Sequence, residues 1–276
     1  MRPGAETGGL AERYVLALQL PPTRGTAGTH KGRGTGSSTE FHDHRDYQPG
    51  DDIRHIDWRA YARTDSLLLK RYREEVRPTL DLLIDASASM ATDEHKAQRT
   101  VDLAALFARS ASAEGFLVRI TALGDQGERL PVERLLREGV TMTGVRPLGE
   151  ALARTDTRTG GLVVLLSDFL LPEGPERWLR GLRAGRVALV QILSAFDASP
   201  PEGGTLRLRD AETAEEVDIV LDRPTLRRYR DRLDRLEAGL ADEARRRAGV
   251  YVRLVSDEAL DGSCRRLVDA GVLGVA

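Results

Sequence analysis

Two carboxylates and two hydroxyls in this chain follow apolar runs that are typical of buried strands. Asp85, Ser87 and Ser89 lie in the segment DASASM, directly after residues 80–84, which are apolar except for Asp81, and Asp168 follows a second apolar run. Ligands of an open parallel sheet bind beyond the carboxyl ends of its strands, so we expect these groups to share one edge. Their oxygen atoms are hard donors that suit Mg²⁺ or a similar divalent cation.

A purely structural role is the alternative, because Asp85 and Ser87 can cap the next helix and hold the turn. Phosphoaspartyl chemistry requires a second carboxylate two residues after the first, where Ser87 stands instead. A serine hydrolase requires a histidine partner, and no histidine follows His95. We therefore predict a binding protein rather than an enzyme, and a Mg²⁺-dependent hydrolase is the least favoured alternative.

The elements that must position these groups alternate between strands and helices. Apolar runs predict strands at residues 80–84, 116–123, 162–166, 187–193 and 250–255. Helical spacing predicts helices at residues 95–114, 148–153 and 178–182, and a long one from Asp222 to Leu240. This alternation predicts an α/β fold with a doubly wound, mostly parallel sheet and helices on both faces. A small β-hairpin, near residues 204–221, interrupts it.

The first 78 residues do not show this alternation of strands and helices. Apolar side chains at near-helical spacing predict a helix from Leu10 to Leu20, and the Gly-, Thr- and Ser-rich residues 21–39 predict a loop. Residues 40–62 show neither helical nor strand periodicity and predict an irregular segment. We divide the chain into residues 1–78, packed on the rest, and a main domain of residues 79–276.

Charged groups are dense within the irregular segment. They form either a partner-binding face or a salt-bridge web that fastens the segment to the main domain, with Trp58 as a buried anchor. We favour the structural role. The residues concerned are Arg45, Asp51, Asp52, Arg54, Asp57 and Trp58.

Composition limits the function classes. The chain has 276 residues with 41 basic and 43 acidic side chains, a balance that does not favour a dedicated nucleic-acid binder. The single cysteine, Cys264, is typical of a reducing compartment. No run of roughly 20 apolar residues is present, so we predict no membrane span and a soluble, cytoplasmic protein.

Two groups of motifs carry a family resemblance. The DASASM turn with Ser167-Asp168-Phe169 resembles the metal-ion-dependent adhesion site of von Willebrand factor A domains. The upstream segments EF (40–41), RDY (45–47), PGDDIR (49–54) and IDW (56–58) resemble the DUF58 family.

The resemblance implies a von Willebrand A-like fold and a bacterial or archaeal protein that works as an adaptor. Its implied partners are a AAA+ ATPase of the MoxR type and an unidentified client protein, in chaperone-like maturation or assembly. In such sites, Mg²⁺ is held by residues matching Asp85, Ser87, Ser89 and Asp168, leaving one position open to a partner's carboxylate.

One position departs from the family pattern. Arg146 stands where adhesion sites place a threonine that binds the metal, and a guanidinium group has only donors. Either Thr141 or Thr143 replaces that ligand, or the site is degenerate. In a degenerate site Arg146 takes the place of the cation beside Asp85 or Asp168, and the protein is a metal-free scaffold.

Overall fold

The computed structural model describes residues 1–18, 41–72, 77–157, 160–209 and 216–276. The glycine-rich residues 21–39, predicted as a loop, lie outside these ranges. Contacts divide the chain into two units, one of Met1–Pro21 with Pro78–Ala276 and one of Pro22–Arg77. No helix in the described ranges has both the length and the apolar character that a membrane span needs.

The described strands are, in chain order, β1 Tyr14–Leu16, β2 Phe41–Asp46, β3 Leu68–Tyr72, β4 Thr79–Asp85, β5 Leu117–Leu123, β6 Glu128–Leu130, β7 Leu162–Ser167, β8 Arg186–Leu193, β9 Thr205–Arg209, β10 Glu216–Val220, β11 Val250–Val255 and β12 Leu273–Val275.

The described α-helices are α1 Thr7–Arg13, α2 Trp58–Thr64, α3 Glu94–Ala113, α4 Val132–Glu138, α5 Leu148–Ala153, α6 Pro175–Trp178, α7 Ala195–Ala198, α8 Arg223–Arg246 and α9 Leu260–Asp269. Short 3₁₀ turns occur at Ile53–His55, Ala88–Ala91 and Leu179–Gly181.

Six strands form the central sheet of the larger unit, in the order β11-β8-β7-β4-β5-β6. All neighbouring pairs are parallel except β5 with β6. Every residue of β4 and β7 is buried, as expected for central strands covered on both faces. The predicted α/β class with a mostly parallel, von Willebrand A-like sheet is confirmed.

Both faces of the sheet carry a separate apolar core. Helix α3 packs its apolar residues, among them Val101 and Phe107, into one core with Leu82 and Ile84 of β4. The other core joins Leu83 and Leu165 to residues of helices α5 and α8. Because side chains alternate along a strand, neighbouring residues of β4 serve opposite cores. The sheet is thus held rigidly, and the ends of β4 and β7 lie side by side.

Two sequence predictions for the first 78 residues are corrected. The predicted helix at Leu10–Leu20 ends at Arg13, and β1 follows, paired antiparallel with β12. The segment predicted as irregular contains β2, paired antiparallel with β3, and helix α2. Helix α2 begins after Asp57, whose Oδ1 accepts hydrogen bonds from the N–H groups of Arg59 and Ala60. Local periodicity misses such strands because their partners are distant in sequence.

Four further elements were not predicted. Helix α9 and strand β12 follow β11, which was predicted to be the last strand, and β6 and α4 lie between β5 and α5. Strands β6 and β12 have only three residues each, too few for alternation to be visible in the sequence. The predicted hairpin is confirmed as the antiparallel pair β9–β10.

The loop before α5 lies directly against the turn that follows β4. The N–H of Gly144 donates to the Ala86 carbonyl at 3.0 Å, and the N–H of Ala88 donates to the Gly144 carbonyl at 2.8 Å. A β-carbon on Gly144 would stand 2.9 Å from the α-carbon of Gly124 and 3.2 Å from the Ala86 oxygen. Glycine is therefore needed at 144 for the close approach of this loop.

We expect Gly144→Ala to lower the free energy of unfolding by about 1–3 kcal/mol, since the added methyl group meets backbone atoms that cannot move independently. Gly124→Ala is the matched control, because its β-carbon would meet no atom closer than 3.9 Å. Urea denaturation of both variants measures the difference. Equal stability of the two variants would contradict the close approach.

Candidate functional site

The turn after β4 brings its oxygen groups together. Asp85 ends β4, its Oδ1 accepts the Ser87 N–H at 3.0 Å, and its Oδ2 accepts the Ser167 hydroxyl at 2.6 Å. The hydroxyl oxygens of Ser87 and Ser89 lie 2.8 Å apart. Ser167 ends the neighbouring strand β7, so adjacent strand ends share this cluster, as the sequence predicted.

Asp168 follows β7 in a strained backbone. Phe169, the next residue, has a φ of +56°, which a non-glycine side chain adopts only at a cost in energy. Its buried ring is stacked on Trp178 with 5.5 Å between centroids, which holds that conformation. The Oδ1 atom of Asp168 accepts the Leu170 N–H at 3.1 Å, and its carbonyl accepts the Gln191 side chain at 2.7 Å. Both the backbone and the carboxylate of Asp168 are therefore fixed.

Lys96 is the residue that sequence reasoning missed. Its Nζ donates to Asp168 Oδ2 at 2.9 Å and to Asp197 Oδ2 at 3.3 Å, and its side chain is 3% exposed. Lys96 belongs to the first turn of α3, where the Asp93 side chain accepts its backbone N–H. In the sequence, Lys96 lies four residues before Thr100, so both residues fall on one face of helix α3. The structure buries that face.

Burial controls the charges of this cluster. Loss of hydration, followed by repulsion from Asp168, raises the pKa of Asp85 to about 6. Burial acts to lower the pKa of Lys96, but attraction from Asp168 and Asp197 outweighs it and the net direction is upward. Lys96 is therefore a permanent ammonium group at neutral pH, and Asp85 is the group whose charge is least stabilised.

Thr141, Thr143 and Arg146, the residues considered in place of the family's threonine ligand, are not part of the hydrogen-bonded cluster. Thr141 and Thr143 are exposed, and the described contacts show neither hydroxyl bonded to Asp85 or Asp168. The backbone N–H of Arg146 donates to Asp125 Oδ1 at 3.0 Å, and Arg146 lines a cavity of about 270 Å³. Instead of Arg146, Lys96 is the cation beside Asp168. The reason is tertiary, because α3 carries Lys96 across the ends of β7 and β8.

The charged residues predicted in the smaller unit form local pairs, which are exposed for Arg45–Asp51 and Arg54–Asp52, whereas Asp57 is buried. The guanidinium of Arg45 binds both carboxylate oxygens of Asp51 at 2.8 and 2.6 Å, and Arg54 binds Asp52 in the same way. The Asp57 carboxylate accepts the α2 N–H groups and lies 2.8 Å from Nε2 of His44. Exposed pairs of this kind contribute little to stability.

Trp58 does not anchor the segment, because its side chain is 60% exposed. It stands first in α2, where its ring lies edge-on to Tyr61 with 6.2 Å between centroids. Ile56, just before the helix, is the buried apolar residue here. The proposed salt-bridge web onto the main domain stays a prediction.

Only part of the predicted donor set suits a divalent cation. The hydroxyls of Ser87 and Ser89 and the carboxylate of Asp85 are suitable ligands. Asp168 does not fit, because one of its oxygens accepts a backbone N–H and the other binds the Lys96 ammonium. The buried ammonium group of Lys96 would also repel a divalent cation placed beside it.

The sheet order defines an A-domain-like α/β module, with the DASAS turn at the carboxyl edge of its central strands. Within that class, the chain belongs to the family described as "Protein of unknown function DUF58", whose model matches residues 43–238.

The chain is also similar to curated proteins of two mycobacteria. The chain is 31% identical over 222 residues to an uncharacterized protein of Mycobacterium tuberculosis, with 72% of this chain and 69% of that protein covered. An uncharacterized protein of Mycobacterium bovis shows the same identity and coverage.

Two solved structures are similar to this chain at low sequence identity. The first is an aerotolerance-related membrane protein from Bacteroides fragilis, with 13% identity, a TM-score of 0.37, and coverage of 71% of this chain and 98% of that one. The second is the conserved hypothetical protein BatB from Bacteroides thetaiotaomicron, with 14% identity, a TM-score of 0.34, and coverage of 70% and 98%.

The raised pKa of Asp85 predicts a pH dependence of stability in metal-free buffer. Between the ordinary value of 3.8 and about 6, the folded protein retains a proton on Asp85 that the unfolded chain releases. The free energy of unfolding therefore falls as pH rises through this window, by on the order of 3 kcal/mol from this group. We expect Asp85→Asn to remove that component.

Urea denaturation at several pH values between 4 and 7 measures the difference in stability between the wild-type protein and Asp85→Asn. Groups that titrate in both proteins cancel in this difference. A difference that stays constant across the window would contradict the raised pKa.

Proposed function

We propose that this chain is a non-catalytic protein-binding adaptor that meets its partner at the carboxyl edge of the central sheet. The observation that carries the proposal is a set of exposed apolar side chains on two loops and the short helix α7 around the polar cluster. Val145, Leu170 and Phe196 are 56%, 39% and 41% exposed, respectively. We call these three residues the carboxyl-edge rim.

Each rim residue lies next to a group that is bonded into the cluster. Val145 follows Gly144, whose backbone is hydrogen-bonded to the DASAS turn. The N–H of Leu170 donates to Asp168, and Phe196 precedes Asp197, which binds Lys96. Apolar side chains around a rigid polar centre are typical of protein interaction surfaces.

Burial of the hydroxyl groups supports a non-catalytic role. Ser167 is fully buried and Ser87 is nearly so, which leaves a substrate no route to either oxygen. The Ser167 hydroxyl is also held by Asp85 and by the Phe169 N–H, and this satisfies both its donor and its acceptor. Such a hydroxyl supports the turn rather than attacking a substrate.

The partner we propose is a AAA+ ATPase of the MoxR type, acting with this chain on a client protein. This part of the proposal rests on the resemblance to DUF58 proteins. An adaptor of this kind requires a rigid face that an ATPase subunit can bind, and the sheet edge with its fixed loops meets that requirement.

Capture from an extract of the source organism tests the proposal. Tagged protein is incubated with ATP or ADP, in the presence and absence of EDTA, and bound proteins are identified by mass spectrometry. We expect a AAA+ ATPase to be retained by the wild-type protein. Leu170→Asp and Phe196→Asp should reduce its capture by about tenfold, because a charge then replaces a buried apolar contact.

Leu117→Asp is the matched control, since Leu117 is an exposed apolar residue at the opposite end of the sheet, where β5 begins. Circular dichroism and thermal unfolding check that each variant is folded. Retention of no AAA+ ATPase under any nucleotide condition would overturn the choice of partner. Equal loss of binding in Leu117→Asp would overturn the choice of surface.

A further inference from the structure

Beside the DASAS turn, the buried carboxylate of Asp168 meets a positive charge that the protein itself supplies. Lys96 reaches the cluster from α3, Asp168 from the end of β7, and Asp197 from helix α7 after β8. The ammonium group of Lys96 thus joins three elements at the edge where the family pattern implies a metal ion.

We infer that the ammonium group of Lys96 takes the place of the divalent cation of an adhesion site, so that this edge is assembled and binds its partner without a metal. The enclosure of the side chain supports this inference, because a lysine with 3% exposure cannot swing out to admit an ion without leaving two carboxylates unpaired. A metal at Asp168 would have to displace a hydrogen bond of 2.9 Å.

The consequence concerns how the partner is recognised. In a metal-containing site, an open coordination position recruits a carboxylate of the partner. The ammonium group of Lys96 is bonded to Asp168 and Asp197, and its side chain is only 3% exposed, so a partner's carboxylate cannot reach it and recognition falls to the carboxyl-edge rim. This consequence rests on the proposed function, whereas replacement of the metal does not.

Metal titration of the intact protein tests the inference. Binding of Mn²⁺ is followed by the loss of the free-ion signal in electron paramagnetic resonance, and thermal unfolding is followed with Mg²⁺, Mn²⁺ or EDTA. For the wild-type protein we expect no saturable Mn²⁺ binding that depends on Ser87, and a Tm that none of the three additives moves.

Lys96→Ala removes the ammonium and opens its space. We expect this variant to bind Mn²⁺ saturably and to gain roughly 5 °C in Tm at saturating Mn²⁺. Lys96→Met keeps the volume of the stem without the charge. We expect its Tm to be lower by roughly 10 °C whether or not Mn²⁺ is present, since Asp168 is left unpaired and no space is opened.

Arg109→Ala is the matched control, because Arg109 is an exposed cationic residue on the same helix. We expect it to behave as the wild-type protein does. If Lys96→Ala does not fold, the double variant Lys96→Met/Asp168→Asn, which removes both charges, should recover stability over Lys96→Met alone.

Saturable Mn²⁺ binding by the wild-type protein that Ser87→Ala abolishes would overturn the inference. So would a folded Lys96→Ala variant that binds no Mn²⁺. Neither result involves a partner protein, so each is separable from the proposed function.

Discussion

The ammonium group of Lys96 and the carboxylate of Asp168 meet inside the protein, and the edge of the sheet is organised around that ion pair. Each ion loses several kcal/mol of hydration on burial, so the pair persists only where both partners are held in place. Helix α3 holds the lysine, and the strained backbone at Phe169 holds the aspartate. Removing the charge of Lys96 leaves Asp168 buried and unpaired, whereas removing the charge of Asp168 leaves Lys96 only its contact of 3.3 Å with Asp197.

This arrangement separates the two parts of the edge. The inner part consists of polar groups that bond to one another, including the contacts of Asp85 with Ser167 and of Asp168 with Gln191. The outer part consists of apolar side chains that have no covering element among the described residues. A rigid polar centre fixes the loops, and the loops present the apolar groups. A partner can therefore bind preformed loops and lose little entropy in ordering them.

Much of the fold was predictable because its signals are local. Strand β7 is an apolar run, β4 is apolar at Leu80 and at Leu82–Ile84, and the predicted bounds of α5 match the structure. The predictions were wrong where a strand pairs with a partner that is distant in the sequence. Strand β1 was predicted to continue a helix, but it pairs with β12 at the other end of the chain. Nothing in the spacing of Tyr14 to Leu16 reports that pairing, since three residues fit a helix equally well.

The candidate site divides in the same way. Residue types and their positions after apolar runs were sufficient to place Asp85, Ser87, Ser89 and Asp168 at one edge, because parallel strands end together. The identity of the cation beside Asp168 was beyond the reach of spacing, since Lys96 lies 72 residues away in sequence. It depends on how α3 crosses the sheet, and packing of the whole apolar face of that helix sets the crossing. Arg146 stands where the family pattern has a metal ligand, but a local alignment of motifs carries no information about which distant side chain reaches into the interior.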